Sequence, residues 1–256
     1  MIYQVENLTV RVNDNGGKPL VNNVSFSIGS GEIVALVGAS GSGKTTTALA
    51  GLGLLADGLI VASGRVLFEG DDLLKIPPVQ LRRFRGRRIA VVFQEPLYAF
   101  DPLFTIGAQI DEVLEVHFGA HAAERKDKAL ALLKRCGIEE AERVYRSYPH
   151  QLSGGLRQRA MIAQALAGEP KLIIADEPTS SIDVTLQAKV LELFQQLRKE
   201  LNLSILLITH DLGLVRHLAD RVVVLRQGEI VEQGRVGHVL TAPRHVYTQQ
   251  LMAAGG

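Results

Sequence analysis

The sequence has no tryptophan and a single cysteine, Cys136, in 256 residues. One thiol excludes a disulfide framework and any multi-cysteine zinc or iron–sulfur site, and it fits a reducing compartment. Neither sign of charge predominates: 28 Lys and Arg stand against 27 Asp and Glu, a formal net charge of +1. That near-cancellation gives no bulk pull toward nucleic acid or anionic lipid. Apolar runs are short as well, and stretches such as residues 205–208 fall far below the roughly 20 residues that a membrane-spanning helix needs. The first residues, MIYQVENLTVRV, alternate like a strand and carry Glu6 and Arg11, so they do not form a basic-then-apolar signal peptide. With 25 Gly and 9 Pro the chain is neither low-complexity nor collagen-like. These exclusions leave a soluble globular protein, long enough to bury a core, whose membrane role would run through a partner.

What is present falls into three textures. Residues 2–12 alternate, residues 13–19 (NDNGGKP) are a turn cluster, and Val24-Ser25-Phe26-Ser27-Ile28 alternates again. Such half-polar strands suit an antiparallel sheet with one wet face. Residues 32–37 are apolar at consecutive positions, as in a strand buried on both faces, and run through GASGSGKTTT into a helix-like segment. Between residues 105 and 168 no strong strand is legible, and residues 124–136 show helical apolar spacing with a charged face. Strand and helix then alternate: strands at 171–176, 204–209, 221–226 and 229–233, helices at 185–201 and 211–220. The pattern predicts an α/β fold with a mainly parallel sheet, an antiparallel β subdomain and an inserted helical subdomain. We expect one domain over 1–256, its core about 1–94 and 169–256 and its helical subdomain about 95–168, with no internal repeat and no dividing linker.

Gly38-Ala39-Ser40-Gly41-Ser42-Gly43-Lys44-Thr45 matches G-x-x-x-x-G-K-[ST], with Thr46 following. Glycines let the backbone curl so that successive N–H groups point at phosphate oxygens, and the next helix adds its own unpaired N–H groups. Lys44 reaches the β- and γ-phosphates and the Thr45 hydroxyl ligates Mg²⁺. The flanking buried strand and helix are the context the motif requires. Leu172-Ile173-Ile174-Ala175-Asp176-Glu177 is a second apolar strand, ending in two carboxylates where open α/β sheets bind ligands. Asp176 can hold Mg²⁺ and Glu177 can accept a proton from an attacking water. Taken alone, this strand end is equally an ordinary acidic turn.

Leu152-Ser153-Gly154-Gly155-Leu156-Arg157-Gln158-Arg159 is another glycine-containing turn opening a helix, with Ser153 as a plausible N-cap. By itself it reads as a helix N-terminus. In order with the phosphate loop, Gln94 in Val92-Phe93-Gln94-Glu95-Pro96, the IIADEP strand end, Ser180-Ser181-Ile182-Asp183 and Ile208-Thr209-His210-Asp211, it resembles the ATP-binding cassette signature. The resemblance covers essentially the whole chain, a P-loop NTPase core. It is nearest to the ATPase subunits of oligopeptide, dipeptide and nickel importers, through residues 93–110 and the tail PRHVYTQQL.

The resemblance implies an ATP-hydrolysing importer subunit at the cytoplasmic face of the inner membrane, peripheral to it. ATP and Mg²⁺ would be its ligands and peptide, nickel or a related small solute its cargo. It implies a second ATPase subunit packed head to tail, favoured to be a distinct homologue. Two transmembrane permease subunits and, indirectly, an extracytoplasmic solute-binding protein would complete the assembly, with no nucleic acid partner. Residues 38–46 would bind this chain's own ATP, whereas Ser153, Gly154 and Gly155 would meet the γ-phosphate of the partner's. Gln94 would reach the metal or attacking water, His210 would hold the γ-phosphate and water, and Asp183 would lie at the dimer seam. A site split in this way becomes dry and charge-matched only on closure, so ATP binding can drive closure.

Three departures from the family pattern stand out. Val12 falls where an aromatic residue usually stacks on adenine, and Tyr3 is out of position. Ser-Ser-Ile-Asp replaces the commoner Ser-Ala-Leu-Asp. With only Cys136, no iron–sulfur cluster is expected. Other features have plain readings. The run Arg82-Arg83-Phe84-Arg85-Gly86-Arg87-Arg88 is expected to be a surface run rather than an RNA site. His117 and His121 are spaced as helical metal ligands, but Gly119 weakens that helix and no third ligand is evident. Cys136 fills an apolar helix face. A soluble cassette regulator of ribosomes or DNA is the alternative function. It usually carries two cassettes or long coiled coils, and this chain has one motif set and no sustained heptads. A GTPase switch would need Asn-Lys-x-Asp, which is absent.

Overall fold

The computed structural model describes residues 1–13, 17–180 and 182–254. In chain order the elements are β1 (Tyr3–Val12), β2 (Val21–Ile28), β3 (Ile33–Val37), α1 (Lys44–Leu49), β4 (Leu59–Phe68), β5 (Asp71–Asp72), α2 (Pro78–Leu81), β6 (Ile89–Val92) and α3 (Pro96–Ala99). There follow α4 (Ile106–Phe118), α5 (Ala122–Arg135), α6 (Ala141–Arg146), α7 (Gly154–Leu166), β7 (Leu172–Asp176) and α8 (Val184–Leu201). The last third holds β8 (Ser204–Thr209), α9 (Leu212–Leu218), β9 (Arg221–Arg226), β10 (Glu229–Arg235), α10 (Val236–Val239) and α11 (Val246–Ala254). Two compact units result: residues 1–82 with 202–256, and residues 83–201.

In the first unit, β1 pairs antiparallel with β2 and β4, giving a sheet ordered β2-β1-β4-β5. Tyr3, Val5, Leu8 and Val10 point to its core, a set that changes parity between 5 and 8. A register shift at that step restores the inward face, as a bulge does. Gly64 permits it, because a Cβ there would lie 2.6 Å from the Leu8 Cα. The second set of strands runs β10-β9-β3-β8, with β3 parallel to both neighbours and β10 antiparallel to β9. Every residue of β3 and β8 is buried, which is why those strands read as unbroken apolar runs. Ala35, Val37, Val222 and Val224 pack against Leu212, Val215, Val236, Val239 and Leu240 from α9 and α10 and the residue after it. Each of the valine and leucine side chains contributes about 1.5–3 kcal/mol of hydrophobic burial.

The second unit carries β6 parallel to β7, with Val92 opposite Ala175, and the helical run. Ile106, Ile110, Leu133, Val144 and Ile162 form its interior. Thr105 Oγ1 caps α4 by accepting the Ala108 N–H at 3.2 Å, and Gly119 ends that helix in the left-handed region. Buried Gln109 fixes the preceding loop, accepting the Asp101 N–H and donating to the Asp101 and Phe104 carbonyls. The α/β class, the antiparallel sheet and the helical insertion all match the sequence reading. Residues 14–16 of the expected turn cluster lie outside the described residues. The sequence pattern did not indicate β4, β6 and α11, nor the short elements β5, α2, α3 and α10.

Candidate functional site

The phosphate loop leaves the buried end of β3 in the first unit. Gly41 and Gly43 have φ of 75° and 98°, and Gly43 opens α1. A side chain cannot replace hydrogen at Gly38, where a Cβ would lie 2.2 Å from the Leu225 carbonyl oxygen. Lys44, only 7 % exposed, folds back so that its ammonium donates to the Gly38 carbonyl at 2.9 Å and the Ala39 carbonyl at 3.0 Å. The Ser42 N–H donates to the Ala39 carbonyl, and the Gly228 N–H donates to the Ser42 carbonyl, tying the loop to the β9–β10 turn. Ser42 Oγ is buried with no hydrogen-bond partner among the described residues, a polar atom inside the loop's own fold. Thr45 is exposed on the first helical turn and Thr46 is half-buried behind it. A curled backbone, a converging ammonium and an exposed hydroxyl together fit a phosphate ester with its divalent cation.

His210 belongs to the same unit. β8 is parallel to β3 with Thr209 opposite Val37, so exposed His210 and the phosphate loop leave neighbouring strands at the same edge. Asp211 then caps α9, its Oδ1 accepting the Gly213 and Leu214 N–H groups at 2.8 and 3.1 Å.

The remaining candidates lie in the second unit. β6 and β7 run parallel, so Gln94, two residues beyond Val92, and the Asp176–Glu177 pair leave adjacent strands at a common edge. Gln94 is exposed, Asp176 is 9 % exposed and Glu177 is half-buried. Glu177 has φ of 45°, a conformation that costs a non-glycine residue of order 1 kcal/mol or more and that clusters at functional sites. Its carbonyl accepts from the Ser180 N–H and Oγ, which close the turn. Ser153 caps the 13-residue α7, accepting the Leu156 N–H at 3.4 Å. Gly154 is half-buried, and Gly155 is buried where a Cβ would press on Leu186 at 2.7 Å. Asp183 is exposed and caps α8 through the Leu186 N–H at 3.0 Å. Ser181 of the Ser-Ser-Ile-Asp stretch lies outside the described residues.

The plainer features resolve locally. Tyr3 is fully buried, and burial raises its phenol above the usual range, so it is no adenine platform; Val12 is 41 % exposed at the end of β1. Gly119 splits His117 and His121 onto separate helices, α4 and the N-cap of α5. Among the described residues no three His, Cys, Asp or Glu side chains gather as a metal site. Arg87 stacks over Phe118 and donates to the Gly168 carbonyl, and Arg88 stacks over Phe84, while Arg83 is exposed. Cys136 is buried, and burial pushes its thiol up to about 12 against the pull of Arg135 and Arg159. One residue escaped the sequence reading of the site: the Tyr247 hydroxyl on α11 accepts the Ala39 N–H of the phosphate loop at 2.9 Å.

Comparison with known proteins places the chain in a family. The family described as ABC transporter matches residues 21–180. The chain is 49 % identical to the peptidoglycan transport ATP-binding protein YejF of Agrobacterium fabrum, over 99 % of this chain and 47 % of that protein. It is 46 % identical to the oligopeptide transport ATP-binding protein AppD of Bacillus subtilis, over 92 % of this chain and 72 % of that one. The chain therefore spans about half the length of the first relative. Among solved structures, the ATP-binding cassette MJ0796, a dimer in a post-hydrolysis state bound to ADP and Pi, superposes with a TM-score of 0.80. That match has 29 % identity and covers 91 % of this chain and 98 % of that one.

Proposed function

The chain belongs to the ABC transporter family, and on that footing we propose that it is the ATP-hydrolysing subunit of an importer for peptides or a related small solute. The observation that carries the proposal is the phosphate loop, with its positive-φ glycines and the Lys44 ammonium drawn over its carbonyls. Residues 38–46 bind the phosphates of this chain's own ATP. The loop amides give fixed partial positive charge and Lys44 gives a full one. Thr45, Gln94 and Asp176 are the residues proposed to hold Mg²⁺, which would neutralise phosphate charge when bound. Glu177 accepts the proton of the attacking water, and His210 holds the water and the γ-phosphate in place. Ser153, Gly154 and Gly155, at the positive end of α7, meet the ATP of a second cassette packed head to tail, with Asp183 at the seam.

Among the described residues no helix is long and apolar enough to cross a membrane. The proposal therefore assigns the solute path to two separate permease subunits, places this chain peripherally at the cytoplasmic face, and puts solute capture on an extracytoplasmic binding protein. Large apolar side chains exposed between residues 93 and 104 support a docking role beside Gln94: Phe93, Leu97, Tyr98, Leu103 and Phe104, with Tyr98 86 % exposed. The second cassette is proposed to be a homologue, and residues 95–168 to form the helical subdomain.

The test is Glu177→Gln in the assembled complex. It removes the proton acceptor and spares the phosphate contacts, so turnover should fall about 100-fold or more while ATP-dependent association of the cassettes persists. Near-normal turnover would remove Glu177 from the mechanism.

A further inference from the structure

Two side chains grip one peptide group at the start of the phosphate loop. The Gly38 carbonyl accepts from Lys44 Nζ at 2.9 Å, and the N–H of the same peptide, on Ala39, donates to the Tyr247 hydroxyl at 2.9 Å. Glycine at 38 leaves that peptide plane little intrinsic resistance to rotation. A rotation would swing the carbonyl away from the Lys44 ammonium. The two contacts are therefore interdependent: the tyrosine holds the N–H, the peptide stays oriented, and the lysine keeps its seat.

Tyr247 is itself held from several directions, all within the first unit. Its ring packs against the cluster formed by Val222, Val224, Val236 and their neighbours. The Arg226 guanidinium lies 5.0 Å from the ring centroid. Its own N–H donates to His245 Nδ1 at 3.1 Å. Just upstream, the Glu232 carboxylate on β10 accepts the Arg244 and His245 N–H groups at 2.9 and 3.1 Å, fixing the entry to α11. A strut thus runs from β10 through α11 to the loop, spanning 208 residues of sequence.

We propose that Tyr247 is a positioning residue for nucleotide binding, by which the C-terminal helix sets the loop geometry and hence the affinity for ATP. The proposal rests on the reading of residues 38–46 as the ATP site. Coupling is reciprocal, so nucleotide in the loop should also steady α11.

The experiment is Mg-ATP affinity and thermal midpoint of the full chain, wild type against Tyr247→Phe and Lys44→Ala, with KM and kcat for ATP in the assembled complex. Phenylalanine keeps the ring, its packing and the Arg226 contact, and deletes only the acceptor. Losing one net hydrogen bond should weaken ATP binding about two- to tenfold and raise KM by a similar factor. The kcat and the thermal midpoint should stay near wild type. An unchanged affinity for Tyr247→Phe, with Lys44→Ala weakened, overturns the proposal and leaves the ATP site standing. A lowered midpoint with unchanged affinity marks the contact as structural only and overturns it too. If Lys44→Ala also binds as wild type, the reading of the loop itself fails.

Discussion

The two units carry their candidate residues in opposite ways. In the first, the phosphate loop is bound to its own unit at nearly every step: Lys44 on two carbonyls, Gly228 on Ser42, Tyr247 on Ala39. In the second, among the described residues Ser153 and Asp183 make local helix-capping contacts, and Ser153, Asp183 and Gln94 are all exposed. A binding surface built in advance needs its backbone held, because loose amides would lose affinity to ordering entropy. A surface offered to another molecule needs its polar groups satisfied at home yet accessible. The contrast is what the proposed split site would require of one chain.

Damage should therefore read out differently in the two places. The largest effect is expected at Gly228, where φ is 84° and a Cβ would sit 2.4 Å from the Leu20 carbonyl oxygen. Gly228→Val should cost about 2–4 kcal/mol of stability and weaken ATP binding with it, measured by chemical denaturation and nucleotide titration. Gly155→Ala in the second unit presses only on the flexible end of Leu186, and the helix gains propensity. Its stability should change by no more than about 1 kcal/mol and its own ATP affinity not at all. Equal losses in both variants would erase the contrast.

A smaller effect concerns the strut's base. Burial opposes the charge on Glu232, but the Arg244 amide, the Thr248 side chain, the His245 amide and the charge of His245 together outweigh it and hold the carboxyl below the usual range. A carboxyl depressed in the folded state contributes stability fully above its unfolded pKa, about 4.3, and loses it as pH falls through the folded value. Glu232→Gln should thus lower the thermal midpoint at pH 7 and flatten its decline below about pH 4, followed by a melting series from pH 7 to 3. The smallest effect is at Cys136: a thiol pushed up to about 12 in a buried site should resist alkylation in the native chain and label only on unfolding. Rapid native labelling would show that the helical unit opens far more readily than its packing implies.

Much of this was readable in the residues, for reasons the structure makes plain. β3 and β8 are buried on both faces, so their composition alone marks them. The phosphate loop is a local solution to backbone chemistry and appears as a local motif. β4 is hard to read from sequence because all seven residues from Leu59 to Arg65 are partly or fully exposed and Gly64 interrupts its alternation. β6 is only four residues long and follows an arginine-rich turn. Tyr247 was visible as part of a tail motif, but its hydroxyl meets Ala39 only through tertiary packing. Ser153 and Asp183 were found by motif order, whereas their capping geometry explains their local residue types without reference to a ligand.

The division between the two halves is tested most directly by nucleotide affinity of Lys44→Ala and Ser153→Arg, each measured first on the isolated chain and then on the assembled complex. Hydrogen bonds to charged groups are worth about 1.5–3 kcal/mol, so Lys44→Ala should lose roughly tenfold or more in ATP affinity already in isolation. Ser153→Arg should bind ATP in isolation as the wild type does, yet block closure onto the partner and stop transport in the complex. If Ser153→Arg weakens binding by the isolated chain as severely as Lys44→Ala, the signature serves this chain's own pocket and the split-site account is wrong.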